Sequence, residues 1–196
     1  MYKRQLIEIT QAYSLFANSG TLTGAAAPAQ SAANGPQDQI LPRAILEVKD
    51  QLGTRWDVQS PASKPVTNAQ LAYLINHMLS DETLRRQTLG HPNDFEIARP
   101  VAAKQGQGLI EPSTWTIGYT PDLVVGVWVG QAPDAKGISK PMISQRVASG
   151  LWHAVMKTAT QGDPIHDWAE PVGIIHQVVC DPSGICLLYT SPSPRD

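Results

Sequence analysis

Leu6, Ile9, Tyr13 and Phe16 recur at helical spacing, and Asn18-Ser19-Gly20 closes the pattern with capping chemistry, so an amphipathic helix is expected near the start of the chain. Gly24 to Asp38 is small, polar and broken by proline, which reads as a loop or surface insertion with no need of a core. Ile40 to Val48 and Trp56 to Gln59 are short strand candidates around an Asp50 to Thr54 turn that carries Gly53. Thr67 can cap a helix whose apolar face is Leu71, Leu74, Ile75, Met78 and Leu79, ending near Ser80-Asp81. A further amphipathic helix is expected over about Ser144 to Ala159, with Val147, Leu151, Val155 and Met156 turned inward.

Between those helices the pattern changes to that of strands. Ile97 to Ala103 is apolar apart from Arg99, and Val101 fits a strand, while Gly106 and Gly108 after Lys104 would let another backbone come close. Trp115 to Tyr119 alternates large and small residues, Thr120-Pro121-Asp122 supplies turn chemistry, and Val124 to Val129 reads as a buried central strand. The predicted class is α+β, an antiparallel sheet flanked by helices.

Composition removes several function classes. With 15 Lys and Arg against 17 Asp and Glu the formal net charge is −2, which leaves no basic footprint for nucleic acid. No apolar run is long enough to span a bilayer. His77, His91, His153, His166 and His176 are dispersed, without the spacing of a zinc site, so no metal or other cofactor is expected. Asp81, Glu82, Arg85 and Arg86 suit ion pairs on a solvated helix face, and Asp181-Pro182-Ser183-Gly184 suits a turn. Trp115 and Trp128 suit strand packing, and Trp152 and Trp168 a core or an interface. Lys104 alone stands out as a residue that could carry chemistry.

The stretch Arg99 to Gly130, RPVAAKQGQGLIEPSTWTIGYTPDLVVGVWVG, resembles the penicillin-binding transpeptidases, in particular the bifunctional class A enzymes. Their third active-site motif, Lys-Thr-Gly-Thr on an edge strand, leads to an aspartate, a tryptophan, Gly-Tyr-Thr-Pro and a Val-Gly-Val-Trp-Val-Gly strand. Here Lys104, Gly106, Trp115, Gly118 to Pro121 and Val125 to Gly130 match in frame. Gln11 to Gly24, QAYSLFANSGTLTG, is similar to the family's Phe-Ala-Asn-Gly-Gly helix end, and Val178 to Gly184 to its closing segment. Gln105 and Gln107 stand where the family has hydroxyl residues, and Ser113 stands where it has the aspartate.

The resemblance implies acyl transfer on D-Ala-D-Ala stem peptides of peptidoglycan, with β-lactams acylating the same serine. It places Lys104 as the catalytic cation that orients the substrate carboxylate, and Gln105, Gly106 and Gln107 as substrate-binding residues, Gln107 lending a backbone donor to the oxyanion hole. It also implies an upstream glycosyltransferase domain, and a location on the extracytoplasmic face of the bacterial membrane through an anchor that the chain lacks. Two alternatives stay open: a non-catalytic peptidoglycan-binding relative with a degenerate motif, and a related serine carboxypeptidase or β-lactamase.

Acyl transfer needs an activated nucleophile, and neither Ser-x-x-Lys nor Ser-x-Asn precedes Lys104. The ends suggest why. Met1 to Gln5 and Cys186 to Thr190 can be read from one DNA end and its reverse complement, as if a sequencing adapter had been translated at both edges. The expectation is therefore a fold over residues 6–185, the C-terminal part of a transpeptidase domain, with adapter tails at 1–5 and 186–196. A Cys180 to Cys186 disulfide should not be inferred.

Overall fold

The computed structural model describes residues 5–26, 40–45, 47–56, 61–108, 113–130 and 143–176, with the side chains of Arg55 and Trp56 left aside. Cys180, Cys186, Ser183 and nearly all of both terminal tails lie outside the described residues. The elements in order are α1 (Leu6–Ala17), β1 (Thr21–Ala26), β2 (Ile40–Leu41), β3 (Val48–Lys49), β4 (Arg55–Trp56), β5 (Pro61–Pro65), α2 (Ala69–Ser80), α3 (Glu82–Leu89), β6 (Ala102–Gln107), β7 (Ser113–Tyr119), β8 (Val124–Gly130) and α4 (Gln145–Ala159). The mixed α+β class expected from the sequence is what forms.

The sheet that matters for function is antiparallel, in the order β6-β7-β8. Its register sets Lys104 opposite Ile117, Gln105 opposite Thr116, Gly106 opposite Trp115 and Gln107 opposite Thr114; across β7, Trp115 meets Trp128 and Ile117 meets Gly126. Facing residues share a side of the sheet, so two surfaces result. Ala103, Gln105, Gly118 and Val127 look toward α4, whereas Lys104, Ile117, Tyr119 and Gly126 look toward α1 and α2.

The core lies on the α4 side, where Phe95, Val101, Ala103, Val127, Ala148, Trp152 and Met156 pack together. Gly118 is what lets α4 come so near. A Cβ there would lie 2.7 Å from Cε2 of Trp152, inside any real contact distance, and 3.0 Å from its Nε1, tighter than most. On the other face Tyr119, fully buried, donates its hydroxyl to Asn76 Oδ1 at 2.8 Å, and Asn76 Nδ2 donates to the Phe16 carbonyl at 2.9 Å. That chain of bonds ties β7, α2 and the end of α1 together. Gly20, at φ +93°, makes the joint after α1: Val66 and Thr67 both donate their backbone N–H to its carbonyl.

After α4 the backbone runs without regular structure to His176 and is tied down residue by residue. Arg99 Nη2 donates to the Thr160 carbonyl at 2.8 Å, His166 Nδ1 meets Asp122 at 2.9 Å, and Gln70 Nε2 donates to the Val172 carbonyl at 2.9 Å. Trp168 sets its ring edge-on to Tyr119 at 5.7 Å.

Several expectations need correction. Val147, Leu151 and Val155 are exposed; α4 packs instead through the adjacent stripe Ala148, Ser149, Trp152 and Met156, because small side chains beneath the large indole allow closer approach. On α2 the buried positions are Ala72 and Asn76, with Leu71, Leu74 and Met78 turned outward, and Asn68 rather than Thr67 caps the helix by accepting from Leu71 N–H at 2.8 Å. Gly24 to Ala26 belong to β1 rather than to a loop, Gly24 and Ala25 pairing with β5 and Ala26 with Ile40 of β2, and the rest of the expected loop to Asp38 lies outside the described residues. Ile40 to Val48 is two short strands, β2 on β1 and β3 on β4, although the Asp50 to Thr54 turn forms between β3 and β4. Ile97 to Val101 precedes the strand, which starts at Ala102. Finally, β7 is the central strand among the described residues; β8 lies at the border and leaves Trp128 47% exposed.

Candidate active site

Lys104 lies in β6, the border strand of the functional sheet, and its side chain is exposed. Among the described residues no carboxylate pairs with its ammonium. An exposed cation without a partner keeps its full field for an incoming anion, since nothing nearby neutralises it. Gly106 follows two residues later on the same face. The nearest atom a Cβ would meet there is that of Trp115 at 3.8 Å, an ordinary contact, so packing within the chain does not require glycine at this position.

Gln105 and Gln107 point the other way, as strand alternation demands. Gln107 Nε2 donates to the Ile143 carbonyl at 3.0 Å, just before α4. The four predicted site residues are thus consecutive on one border strand and divided between its faces. Ser113 pairs with Gly130 at the far end of β7 and is buried.

On the α4 side, Gln105 and Gln107 help line a cavity of about 530 Å³, closed by Asn93 and Asp94 from the segment before β6 and by Gln145 and Arg146 from the first turn of α4. Asp94 is held from two directions. Ser149 donates its hydroxyl to Oδ2, and His153 Nδ1 meets the Asp94 backbone carbonyl at 2.8 Å. The trio has the composition of a hydrolytic triad but not its wiring, because the imidazole faces a peptide carbonyl and the serine hydroxyl goes straight to the carboxylate. It is a clamp between α4 and the segment leading to β6.

Arg85 positions the strand from its start. Its Nη2 donates to the Ser80 and Val101 carbonyls at 2.8 and 3.0 Å, and the guanidinium lies 6.0 Å from the Phe95 ring centre. Burial pushes its pKa down against the opposing pull of Glu82, Asp81 and Glu96, and Nε and Nη1 have no hydrogen-bond partner among the described residues. The expectation of a solvated ion-pairing face holds for Arg86, 3.1 Å from Glu82, and fails for Arg85. The sequence signal for this role was slight: an arginine placed one turn into a helix, ahead of an apolar entry to a strand.

Histidine pairs missed in the sequence lie at the periphery. The hydrogen bond from His91 holds the Glu96 carboxyl below its ordinary range, and that from His176 does the same to Glu170. Among the described residues no three His, Cys, Asp or Glu side chains group as metal ligands.

No protein-family model matches the sequence. Curated relatives do: penicillin-binding protein 1A of Aquifex aeolicus is 27% identical over 170 residues, 84% of this chain and 20% of that protein. Penicillin-binding protein 1A of Pseudomonas aeruginosa is 32% identical over 117 residues, 59% of this chain and 14% of the relative. Penicillin-binding protein 2D of Bacillus subtilis is 25% identical over 86% of the chain and 22% of its own length. The chain therefore spans between about a seventh and about a fifth of the length of these relatives. Among solved structures, penicillin-binding protein 1A from Haemophilus influenzae superposes with TM-score 0.67 at 17% identity, over 97% of this chain and 31% of that one. Penicillin-binding protein 3 of Mycobacterium tuberculosis, solved with ampicillin, gives 0.53 at 19% identity, over 83% and 36%. The chain is a distant homologue of the penicillin-binding proteins and has the fold of part of their transpeptidase domain.

Proposed function

We propose that this chain supplies the substrate-binding border strand of a D,D-transpeptidase that crosslinks peptidoglycan stem peptides, with the acylated serine provided by sequence outside it. The observation that carries the reading is Lys104, exposed and without an ion-pair partner among the described residues, on the border strand β6, two residues before Gly106 in frame with the family motif. The serine Oγ would attack the carbonyl between the two terminal D-alanines, its proton passing to a base and the terminal D-alanine leaving. An amine from a second stem would then displace the serine and form the crosslink. Lys104 would hold the terminal carboxylate by its field, the backbone of Gln105, Gly106 and Gln107 would pair with the extended peptide, and the Gln107 N–H would face the developing oxyanion. β-Lactams would acylate the same serine. An upstream glycosyltransferase domain and an extracytoplasmic, membrane-anchored location belong to the same proposal.

One observation favours a second reading. Gln105 and Gln107 stand where the family motif has hydroxyl residues, and the Gln107 carboxamide is already engaged by the Ile143 carbonyl, so it does not stand in for a hydroxyl. A peptidoglycan-binding relative without catalysis would tolerate this. Labelled penicillin applied to the product of the contiguous gene separates the two. A covalent adduct on the serine of an upstream Ser-x-x-Lys, slowed by Lys104→Ala, supports the transpeptidase. No adduct despite that motif selects the binding module, and a gene without the motif overturns the enzyme.

A further inference from the structure

The two borders of the functional sheet differ in how they are guarded. β6 carries the charge of Lys104 near its middle, which keeps a like strand away. β8, VVGVWVG, has neither a charge nor a proline along its length. Helices cover both of its faces: Ala148 and Trp152 of α4 cluster with Val127, and Leu6 and Thr10 of α1 sit over Gly126. Among the described residues its outer backbone edge pairs with no strand, and such an edge is a template for another.

α4 extends that border. Its Ser149 and His153 bond to Asp94 ahead of β6, so the opposite flank of the helix, Val147, Leu151 and Val155, overhangs the β8 side. These three are 50%, 52% and 42% exposed, and Gly150 and Ala154 beside them add no charge. Strand and stripe both read alike when reversed. An antiparallel copy of β8 centred on Val127 sets Val125 against Val129, and an antiparallel copy of α4 centred on Leu151 sets Val147 against Val155. Val127 packs with Ala148 and Trp152, the near neighbours of Leu151 on the helix, so one two-fold axis can serve both pairings.

We propose that the β8 border and the overhanging stripe of α4 form a self-complementary interface through which two copies of this chain join their sheets edge to edge. The same pairing brings Trp128, 47% exposed, beside Gly126 and the first turn of α1 in the other copy. Half-exposed Val147, Leu151, Val155 and Trp128 offer about 300 Å² per copy and the strand edge about as much, so the pair buries about 1,000 Å² or slightly more, the lower range of specific interfaces and of micromolar strength. Growth stops at two, because both outer borders are then β6 with its lysine. The interface leaves the reading of Lys104 untouched.

Sedimentation of the 196-residue chain from low to several hundred micromolar tests this. A monomer–dimer equilibrium is expected, with the β8 amides slower to exchange with deuterium at high concentration and the β6 amides unchanged. Leu151→Glu sets two carboxylates on the axis; it should weaken the dimer about tenfold or more, while the diluted chain keeps its melting temperature. In a background of Cys180→Ser and Cys186→Ser, Leu151→Cys should crosslink two copies under copper phenanthroline, whereas Leu52→Cys, 92% exposed as leucine on the β3 to β4 turn, should not. A chain that stays monomeric at every concentration overturns the interface. So does a dimer that Leu151→Glu leaves intact, or open-ended growth beyond two copies.

Discussion

Replacing Gly118 with alanine tests the packing that holds β6 in place. The new methyl group would lie 2.7 Å from Trp152 Cε2 and 3.0 Å from Nε1, and closer still to Cζ2. The indole cannot swing away easily: Trp152 is fully buried and its ring sits 5.3 Å from that of Phe95. Overpacking a core costs about 1 to 3 kcal/mol, and a contact with a confined ring belongs in the upper half of that range. At about 2 to 4 °C per kcal/mol for a domain of this size, the melting temperature should fall by about 4 to 12 °C. Gly150→Ala is the matched control. No atom lies within 4 Å of its would-be Cβ on α4, so the substitution should stabilise by about 1 kcal/mol through helix propensity alone. Trp152→Phe should destabilise the wild-type chain by emptying core volume, yet relieve Gly118→Ala, giving a coupling of about 1 kcal/mol or more in a double-mutant cycle read by thermal and urea unfolding. The reasoning fails if Gly118→Ala melts at or above the wild-type temperature, or if the two substitutions simply add. The result bears on function because Gly118 pairs with Ala103, the neighbour of Lys104, so a displaced β7 would tilt the candidate site.

Lys104→Ala should leave the melting temperature unchanged, since the exposed ammonium is paired with nothing among the described residues, while slowing the labelled-penicillin adduct in the product of the contiguous gene. Asn76→Ala strands the Tyr119 hydroxyl and the Phe16 carbonyl in the interior and should cost about 2 to 3 kcal/mol in urea unfolding. Burial, with a smaller push from Tyr13, raises the Tyr119 pKa well above the ordinary phenol value. The folded state thus holds that proton more tightly than the unfolded one, and its stabilising share is complete below about pH 10 and lost as pH rises beyond it. An absorbance titration should show Tyr119 ionising only with unfolding. Glu170 has the opposite sign: bonded to His176 and Tyr73, its carboxyl is held low, so its contribution is present above the usual carboxylate pKa and fades as pH falls. Acidification should loosen the segment after α4, seen as a change in Trp168 emission before global unfolding, and Glu170→Gln should remove that early step.

The elements around the site were legible in the sequence where local chemistry fixes them. Thr120-Pro121-Asp122 turns β7 into β8 because the Thr120 hydroxyl accepts from the Asp122 and Leu123 amides, an interaction confined to four residues. The in-frame Lys104, Gly106 and Val125 to Gly130 located the border strand. Which side of a helix is buried was not legible. α4 carries two neighbouring apolar stripes, and the choice between Val147-Leu151-Val155 and Ala148-Trp152-Met156 rests on Gly118, some thirty residues upstream, whose missing side chain admits the indole. Arg85 likewise has the spacing of a surface ion-pairing residue; its burial follows from Val101 and Phe95, which no helical periodicity contains.

The same dependence on distant partners separates the two faces of the border strand. Lys104 and Gly106 share one face, and alternation then obliges Gln105 and Gln107 to look toward α4, where they line a cavity bordered by Asp94, which Ser149 and His153 tie to the helix. The two faces should therefore respond separately to substitution. Ser149→Ala removes the hydroxyl that Asp94 accepts from; it should reshape the cavity, seen as shifts of the Asn93, Gln105 and Gln145 carboxamides in a ¹⁵N spectrum of this chain, while the labelled-penicillin adduct in the product of the contiguous gene forms at an unchanged rate. Loss of the adduct in Ser149→Ala, with Lys104 unchanged, would show that the two faces are not independent and that α4 sets the position of the strand itself.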